Sequence, residues 1–345
     1  MAKDTSLLLS SSPHIASPVK TQELMGRVLL ALAPAAVFGV YLYGIPALLT
    51  ILVSVASAVL AESLFRLVTK RDIRAGDLSA VVTGLLLALV LPPATPLWIT
   101  ALGAVFAVIV AKEFFGGLGA NVFNPALSGR AFLIMSFPAA LTTWSRPLVS
   151  SPEVLAESVS GATPLYFIKS GEGIAAVGAD LAASGLASSA DYWSVIRALF
   201  FGFRGGCIGE SSILLILAGG FFLLITKTID WRAPAALIAA TALASFALGQ
   251  DPLFAVLSGG VVFGAVFMAT DYVSAPVTAK GKLVFGFGAG LILVLIRTWG
   301  NFPEGCTYGI LIMNAVTPFL NRLLPKKYGF IPKSPQGPLP QGASK

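Results

Sequence analysis

Ten runs of mainly apolar residues alternate with polar connections along the chain. A helix needs about 20 apolar residues to cross the hydrocarbon core of a bilayer. In lipid only helices and closed barrels satisfy the backbone, and the alternating strand pattern of a barrel does not occur here. The pattern therefore predicts an all-α fold, a polytopic membrane helical bundle of about ten transmembrane helices. The runs are 24–43, 45–66, 77–91, 96–113, 122–140, 211–226, 233–249, 252–269, 283–299 and 306–323.

Composition agrees with a membrane protein. Hydrophobic residues make up 56% of the chain and charged residues 11%, whereas soluble domains usually carry about 25% charged residues. The formal net charge is +7, but the basic residues are scattered through short connections. This scatter indicates membrane orientation rather than nucleic-acid binding, so no nucleic-acid partner is expected.

The basic residues predict the orientation of the chain. If the N-terminus is cytoplasmic, only a few of the 23 Lys and Arg residues fall in outside segments, and Arg130 lies within a span. Positively charged residues concentrate on the cytoplasmic side of membrane proteins. We therefore expect a multi-pass protein of the inner (cytoplasmic) membrane with both termini in the cytoplasm. The outside residues are Arg146, Lys169, Arg197, Arg204 and Arg297.

The runs also predict a domain organisation. Residues 1–23 form a cytoplasmic segment without a cleavable signal peptide, and 24–140 and 211–324 form two membrane halves of five helices each. Residues 141–210 form the one long connection, which falls outside and contains an amphipathic stretch near Tyr192. Residues 325–345, rich in Pro, Gly and Lys, form a disordered cytoplasmic tail.

A weak internal repeat relates the two halves. Residues 78–84 align with 253–259, each just after an acidic residue, and 121–125 loosely echo 314–318. Opposite orientation of paired, interrupted helices is typical of inverted-repeat transporters, and predicts an inverted repeat of five plus five helices. The alternative interpretation is that Gly and Pro are simply frequent in membrane helices.

The scarce residues limit the redox chemistry. His14 is the only histidine, so no pair of membrane histidines can hold a haem. Cys207 and Cys306 are the only cysteines, whereas an iron–sulfur cluster normally needs four thiolates. No catalytic or metal-ligating residue is predicted, and any electron carrier here should be organic. The two cysteines are either small buried residues or, in an oxidising compartment, a disulfide pair.

A short motif in the long connection, Ser160-Gly161-Ala162-Thr163, precedes Pro164. Proline disfavours helical angles in the residue before it, which favours an extended Thr163 that presents its hydroxyl. Such a hydroxyl can accept a phosphoester. Taken alone, the motif also fits an ordinary Ser/Gly/Pro turn.

The chain resembles the D subunit of Rnf electron-transport complexes and, less closely, the B subunit of the sodium-translocating NADH:quinone reductase. The resemblance runs through almost the whole chain in ordered blocks. In this family FMN is joined through its phosphate to the last threonine of the acceptor motif, which here is Thr163. The family motif usually begins with Asp where this chain has Glu157. The blocks are residues 12–15, 116–127, 129–132, 160–165, 209–212, 251–254, 267–271 and 303–305.

The resemblance implies a role in a larger assembly. Rnf complexes couple electron flow between ferredoxin and NAD to movement of sodium ions or protons. This chain would relay electrons through covalent FMN and a noncovalent riboflavin. Its partners would be the A and E membrane subunits, the G flavin subunit, the B and C iron–sulfur subunits, and a flavin transferase. The alternatives are the quinone-reductase protein, or a solute channel or carrier built on the inverted repeat without redox chemistry.

Three polar residues in the membrane are further candidates for flavin binding. Arg130 is costly within a span and needs a partner, either an anion such as a flavin or a structural carboxylate. Asn121 and Asn124 precede Pro125 and would form a polar pocket for an isoalloxazine edge, or else a helix cap with a kink. Three acids at helix ends, Asp77, Asp251 and Asp271, are interpreted as caps, and Glu210 as a helix-start acid.

Overall fold

The computed structural model describes residues 20–72, 75–148, 163–300 and 305–323, and within these ranges the regular structure is helical. Five helices precede the long connection: α1 (Thr21–Tyr43), α2 (Ile45–Val68), α3 (Ser79–Leu89), α4 (Leu97–Ile109) and α5 (Pro125–Ser136). A single helical turn, α6 (Pro138–Leu141), leads into the connection, which contains α7 (Pro164–Lys169), α8 (Gly173–Ala183) and α9 (Tyr192–Phe201). After it come α10 (Ile213–Ile225), α11 (Arg232–Ala247), α12 (Pro252–Leu257), α13 (Val261–Phe263), the π-helical turn Gly264–Met268, α14 (Ala279–Trp299) and α15 (Cys306–Leu320).

The prediction of an all-helical polytopic membrane protein is confirmed. Each of the ten apolar runs contains helix, and four helices in the described ranges are long and apolar enough to cross a membrane. The others that fill the apolar runs are shorter. Large apolar side chains of both long and shorter helices, such as Leu64 of α2 and Phe246 of α11, are exposed and fit a lipid environment. The four long helices are Thr21–Tyr43, Ile45–Val68, Leu97–Phe115 and Ala279–Trp299. The third of them is α4 together with the 3₁₀ turn Glu113–Phe115 that follows it. The inverted repeat stays a prediction.

Two parts of the chain, the run 252–269 and the long connection, differ from what the sequence pattern predicts. The run 252–269 is broken after α12, where Gly259 takes a left-handed φ of +63° that favours glycine. Gly260 then passes so close to Glu210 that an added Cβ would lie 2.3 Å from Oε1 of that side chain. The long connection contains three further helices, α7, α8 and α9, of which the sequence pattern predicts only the amphipathic α9.

Helix α3 has only 11 residues, or about 16 Å at 1.5 Å per residue, roughly half the hydrocarbon thickness. The backbone carbonyls at and beyond its end accept hydrogen bonds from inside the protein. The N–H of Gly209 donates to the carbonyl of Leu89 at 2.7 Å, and that of Ile208 to Leu91 at 3.2 Å. Non-helical backbone at membrane depth is tolerated where protein covers it. This pairing therefore joins the chain just before α10 to the end of α3.

Glycines allow the most extensive helix pair, α11 with α14, to approach closely. A Cβ added at Gly286 would lie 2.3 Å from the carbonyl oxygen of Ala233, and one added at Gly290 would lie 2.5 Å from the carbonyl oxygen of Leu237. Small residues at helix interfaces are what tight packing in membranes requires, because the lipid supplies no hydrophobic drive for association.

Four charged side chains form a buried cluster between α2 and the end of α4. Nζ of Lys112 lies 3.0 Å from Oε1 of Glu62, and Nη2 of Arg66 lies 2.9 Å from Oε1 of Glu113. All four residues are at most 4% exposed. Lys112 also donates to the Ser79 hydroxyl at 2.6 Å. The cluster fixes the start of α3 against α2, because a buried charge is tolerated only with hydrogen-bonded partners.

We predict that Glu113→Gln will lower the free energy of unfolding by about 3 kcal/mol or more, because it leaves Arg66 under-compensated in a buried site. The matched control is Glu23→Gln, which breaks the ion pair between Glu23 and Arg27 on exposed side chains and should cost less than about 1 kcal/mol. Unfolding of both variants in detergent measures the difference. Equal losses would contradict a stabilising role for the cluster.

Candidate functional site

Thr163 lies directly before α7 in an extended conformation, with φ −82° and ψ 155°. Pro164 is the first residue of that helix, and the backbone therefore has the conformation that the sequence predicted. The Thr163 side chain makes no capping hydrogen bond to the helix. Only 7% of the residue is exposed, so its hydroxyl lies in a cleft of the protein rather than on an open loop. Ser160, Gly161 and Ala162, together with Glu157, lie outside the described residues.

The cleft around Thr163, called the acceptor cleft here, brings three segments together. They are the start of α7, the turn before α10, and the break after α12. Nη2 of Arg204 donates to the carbonyls of Glu210 at 2.8 Å and Gly259 at 3.3 Å, which ties the last two segments together. The Tyr43 hydroxyl of α1 donates to the carbonyl of Arg204 at 3.1 Å. The cleft is lined by Thr163, Pro164, Leu165, Arg204, Gly205, Gly206, Glu210 and Gly259.

Arg130 has the partner that the sequence required. Its Nη1 lies 3.2 Å from Oε1 of Glu210, and both residues are at most 4% exposed. Nη2 of Arg130 also lies 3.5 Å from the sulfur of Cys207. Because Glu210 also lines the acceptor cleft, Arg130 acts on that cleft through Glu210. The geometry therefore shows the structural ion pair, and a direct flavin contact of Arg130 stays a prediction.

Glu210 differs from its expected role as a helix-start acid. Ser212 is the residue that caps α10, accepting from the N–H of Leu215 at 3.5 Å. Glu210 instead pairs with Arg130. The capping interpretation holds for Asp77, which accepts from the N–H of Ser79, and for Asp251, which accepts from the N–H of Phe254, both at 2.8 Å.

Asn121 and Asn124 lie at the start of α5, away from the acceptor cleft. Oδ1 of Asn124 accepts from the N–H of Leu127 at 3.2 Å, so Asn124 caps α5. Its Nδ2 donates to the carbonyl of Met268 at 3.4 Å, and Nδ2 of Asn121 donates to the carbonyl of Phe123 at 3.0 Å. The sequence therefore correctly located a polar helix opening, and the cap is the role that the geometry supports.

Both asparagines line an inner cavity that shares no residue with the acceptor cleft. It encloses about 80 Å³, which is room for a few water molecules. A three-ring isoalloxazine does not fit in this volume, although the amide groups have suitable hydrogen-bonding chemistry. The structure therefore does not bring Asn121 and Asn124 together with Thr163 in one flavin site.

A second cavity, called the outer cavity here, adjoins the acceptor cleft and has a volume of about 370 Å³. Leu165 lines both spaces. Apolar side chains, among them Ile168 and Phe254, form part of its wall, and Lys169 and Arg297 bring positive charge. Arg297 is held in place by the carbonyls of Ala255 and Ser258, at 2.7 and 2.9 Å from its Nη1 and Nη2.

Sequence reasoning missed the roles of Arg204 and Arg297 at this site. The sequence marks both only as basic residues of outside segments. Their importance depends on contacts with carbonyls 55 and 42 residues away along the chain, and no local pattern signals such contacts. Cys207 and Cys306 are both buried.

Comparison with known proteins shows the family of this chain. Residues 8–329 match the NQR2, RnfD, RnfE family. The chain is 41% identical to the D subunit of the Na⁺-translocating ferredoxin:NAD⁺ oxidoreductase complex of Acetobacterium woodii, covering 94% of this chain and 96% of that protein. It is also 41% identical to the D subunit of the proton-translocating ferredoxin:NAD⁺ oxidoreductase complex of Clostridium ljungdahlii, covering 93% and 96%. The D subunit of the ion-translocating oxidoreductase complex of Stutzerimonas stutzeri is 38% identical, covering 89% and 91%. The chain belongs to the NQR2, RnfD, RnfE family.

Proposed function

We propose that this protein is the membrane subunit of an ion-translocating ferredoxin:NAD oxidoreductase complex and relays electrons through an FMN joined to Thr163. The observation that carries the proposal is the position of Thr163. Its residue type and the motif around it match the family's flavin acceptor site. Its extended backbone before Pro164 leaves the side chain without a capping hydrogen bond, and the residue lines the acceptor cleft.

The residues of the acceptor cleft have the chemistry of a phosphodiester site, although the cleft encloses only about 10 Å³ and has to widen to hold one. Arg204 lines it together with Gly205 and Gly206, and a guanidinium is the side chain best suited to phosphate oxygens. The two glycines have no side chains to obstruct an approaching phosphate. Arg204 is held by backbone carbonyls, so a phosphate would meet a cation that is already positioned.

The outer cavity suits the ring system of the same cofactor. Its volume of about 370 Å³ and its partly apolar wall fit an isoalloxazine, and it adjoins the cleft at Leu165. Arg297, Lys169 and Asp251 line this cavity, so two cations against one carboxylate leave a positive charge beside the ring, which would favour the reduced, anionic flavin. A bound FMN would supply reversible one- and two-electron transfer. The residues of this chain hold it, exclude water and set its electrostatic surroundings.

The buried pair of Arg130 and Glu210 connects this site to the membrane helices. Glu210 lines the acceptor cleft on one side and pairs with Arg130 of α5 on the other. A change of charge on a flavin at Thr163 would act on this pair through an interior of low dielectric, where electrostatic interactions are strong. We propose this pair as the link through which electron transfer acts on the helix bundle.

The relatives bear on the transported ion, and the family resemblance suggests the partners. Two relatives named for sodium and for proton translocation are each 41% identical to this chain, so overall identity does not discriminate between the two ions. As the D subunit of such a complex, this chain would assemble with the A and E membrane subunits, the G flavin subunit, and the B and C iron–sulfur subunits. A flavin transferase would attach the FMN on the outer side of the inner membrane. A noncovalent riboflavin stays a prediction, and we assign it no site in the inner cavity.

We predict that Thr163→Ala will abolish the flavin fluorescence of the denatured protein on a gel when the chain is expressed with its flavin transferase, because the acceptor hydroxyl is lost. Thr142→Ala is the matched control, since Thr142 is an exposed threonine of the same connection, and it should keep its fluorescence.

Two results would count against this proposal. Fluorescence that persists in Thr163→Ala would exclude Thr163 as the acceptor. A dark wild type, with the transferase shown to be active on another substrate, would favour a channel or carrier without redox chemistry.

We predict that a membrane-impermeant maleimide will label Ser188→Cys in intact cells and will label Lys280→Cys only after permeabilisation. Both positions are exposed, and they lie in segments predicted to be outside and inside. The native cysteines are buried and give a low background. The opposite labelling pattern would place the Thr163 connection in the cytoplasm and contradict the proposal.

A further inference from the structure

A third cavity lies at the end of the bundle that contains the N-terminus of α1. It is bordered by the turn between α10 and α11, the segment after the π-helical turn, and the start of α14, and its volume is about 700 Å³. We call it the basic cavity, because Lys227, Arg232 and Lys282 line it. It shares no residue with the acceptor cleft or the outer cavity.

One carboxylate organises two of the three cations. Oδ2 of Asp230 accepts from Nη1 of Arg232 at 2.9 Å and from Nζ of Lys282 at 3.1 Å. The side chains of Arg232 and Lys282 stay 38% and 26% exposed. A guanidinium has five donors and an ammonium three, so both retain donors for a further anion. Asp230 therefore fixes the spacing of the cations without using up their hydrogen-bonding capacity.

The charge of the basic cavity favours an anion. Burial raises the pKa of Asp230, but hydrogen bonds from the Arg232 N–H and from Lys282 outweigh it, and the pKa lies below its ordinary value. Asp230 is therefore ionised at neutral pH. Asp271 is the second carboxylate in the lining, and it accepts from the Ser274 hydroxyl at 2.7 Å. Three cations against these two acids leave an excess of positive charge.

The surroundings of the cavity show which kind of anion fits. Trp231 and Tyr272 line it and are 58% and 47% exposed, and such aromatic residues mark the boundary between lipid and water. Leu224, in the last turn of α10, and Val277 are exposed apolar residues of the same lining. The cavity therefore offers cations for a headgroup beside apolar surface for acyl chains. Basic pockets between membrane helices bind anionic lipid headgroups in this way.

We propose that the basic cavity binds the phosphodiester headgroup of an anionic phospholipid. Arg232 and Lys282, held by Asp230, contact the phosphate oxygens from one side, and Lys227 contacts them from the other. The acyl chains leave past Leu224 and Val277. This site does not depend on the flavin at Thr163.

The test uses the full-length protein, purified in the complex in which it occurs and stripped of lipid with detergent. Phosphatidylglycerol is titrated in, and thermal stability and the bound lipid seen by native mass spectrometry are followed. The cavity variant is Lys227→Gln with Lys282→Gln. The control is Lys280→Gln with Arg197→Gln, which removes the same charge at exposed positions outside the cavity lining.

We expect the cavity variant to need at least about 10-fold more phosphatidylglycerol for half-maximal stabilisation, since each lost cation weakens binding several-fold. The control should match the wild type, and phosphatidylcholine should not stabilise either. If the double variant fails to fold, Lys227→Gln alone, at an exposed position outside the Asp230 pair, should still weaken binding several-fold.

Three outcomes would overturn the proposal. The first is equal affinity of the cavity and control variants for phosphatidylglycerol. The second is stabilisation by phosphatidylcholine as strong as that by phosphatidylglycerol. The third is reproduction of the effect by inorganic phosphate at the same concentration, which would assign the cavity to a free anion rather than to a lipid.

Discussion

The cost of burying charge in an apolar interior governs this structure. A lone charge at the centre of a membrane helix costs about 2.5–3.5 kcal/mol on insertion scales, so the buried charges here meet opposite charges or, like Arg204, backbone carbonyls. Arg130 of α5 meets Glu210, which lies just before α10. This contact spans 80 residues of sequence and joins the helices before and after the long connection. It also places Glu210 in the wall of the acceptor cleft, where the proposed chemistry occurs.

The same constraint explains why the site lies where it does. Breaks in helices need buried backbone to be satisfied, and two of the three segments around Thr163 are joined by hydrogen bonds of Arg204. Arg204 donates to carbonyls of two of them, and Tyr43 of α1 supports the carbonyl of Arg204. A cleft at such a junction has fixed walls and a fixed cation. These are the features that a covalently attached, charged cofactor needs for a defined reduction potential.

Sequence patterns predicted what depends on local chemistry. The apolar runs located the helices, and Asp77, Asp251 and Asn124 cap α3, α12 and α5 as their positions before those helices indicated. Pro164 predicted the extended backbone of Thr163. What depends on tertiary contacts could not be predicted. Glu210 looked like a helix-start acid because its partner lies far away in sequence, and no local pattern showed that Lys112, at the end of the run 96–113, pairs with a buried carboxylate of α2. The cavity volumes also follow only from packing. The inner cavity at Asn121 is too small for an isoalloxazine, whereas the outer cavity beside Leu165 has room for one.

The most direct measurement is mass spectrometry of a tryptic peptide from the native complex. Trypsin cleaves poorly between Arg146 and Pro147, so the informative peptide is 131–169, which ends at Lys169 and contains Thr163. The account predicts a mass increase equal to FMN minus one water, localised by fragmentation to Thr163. An unmodified peptide from an active complex, or a modification localised to Ser160 instead, would contradict it.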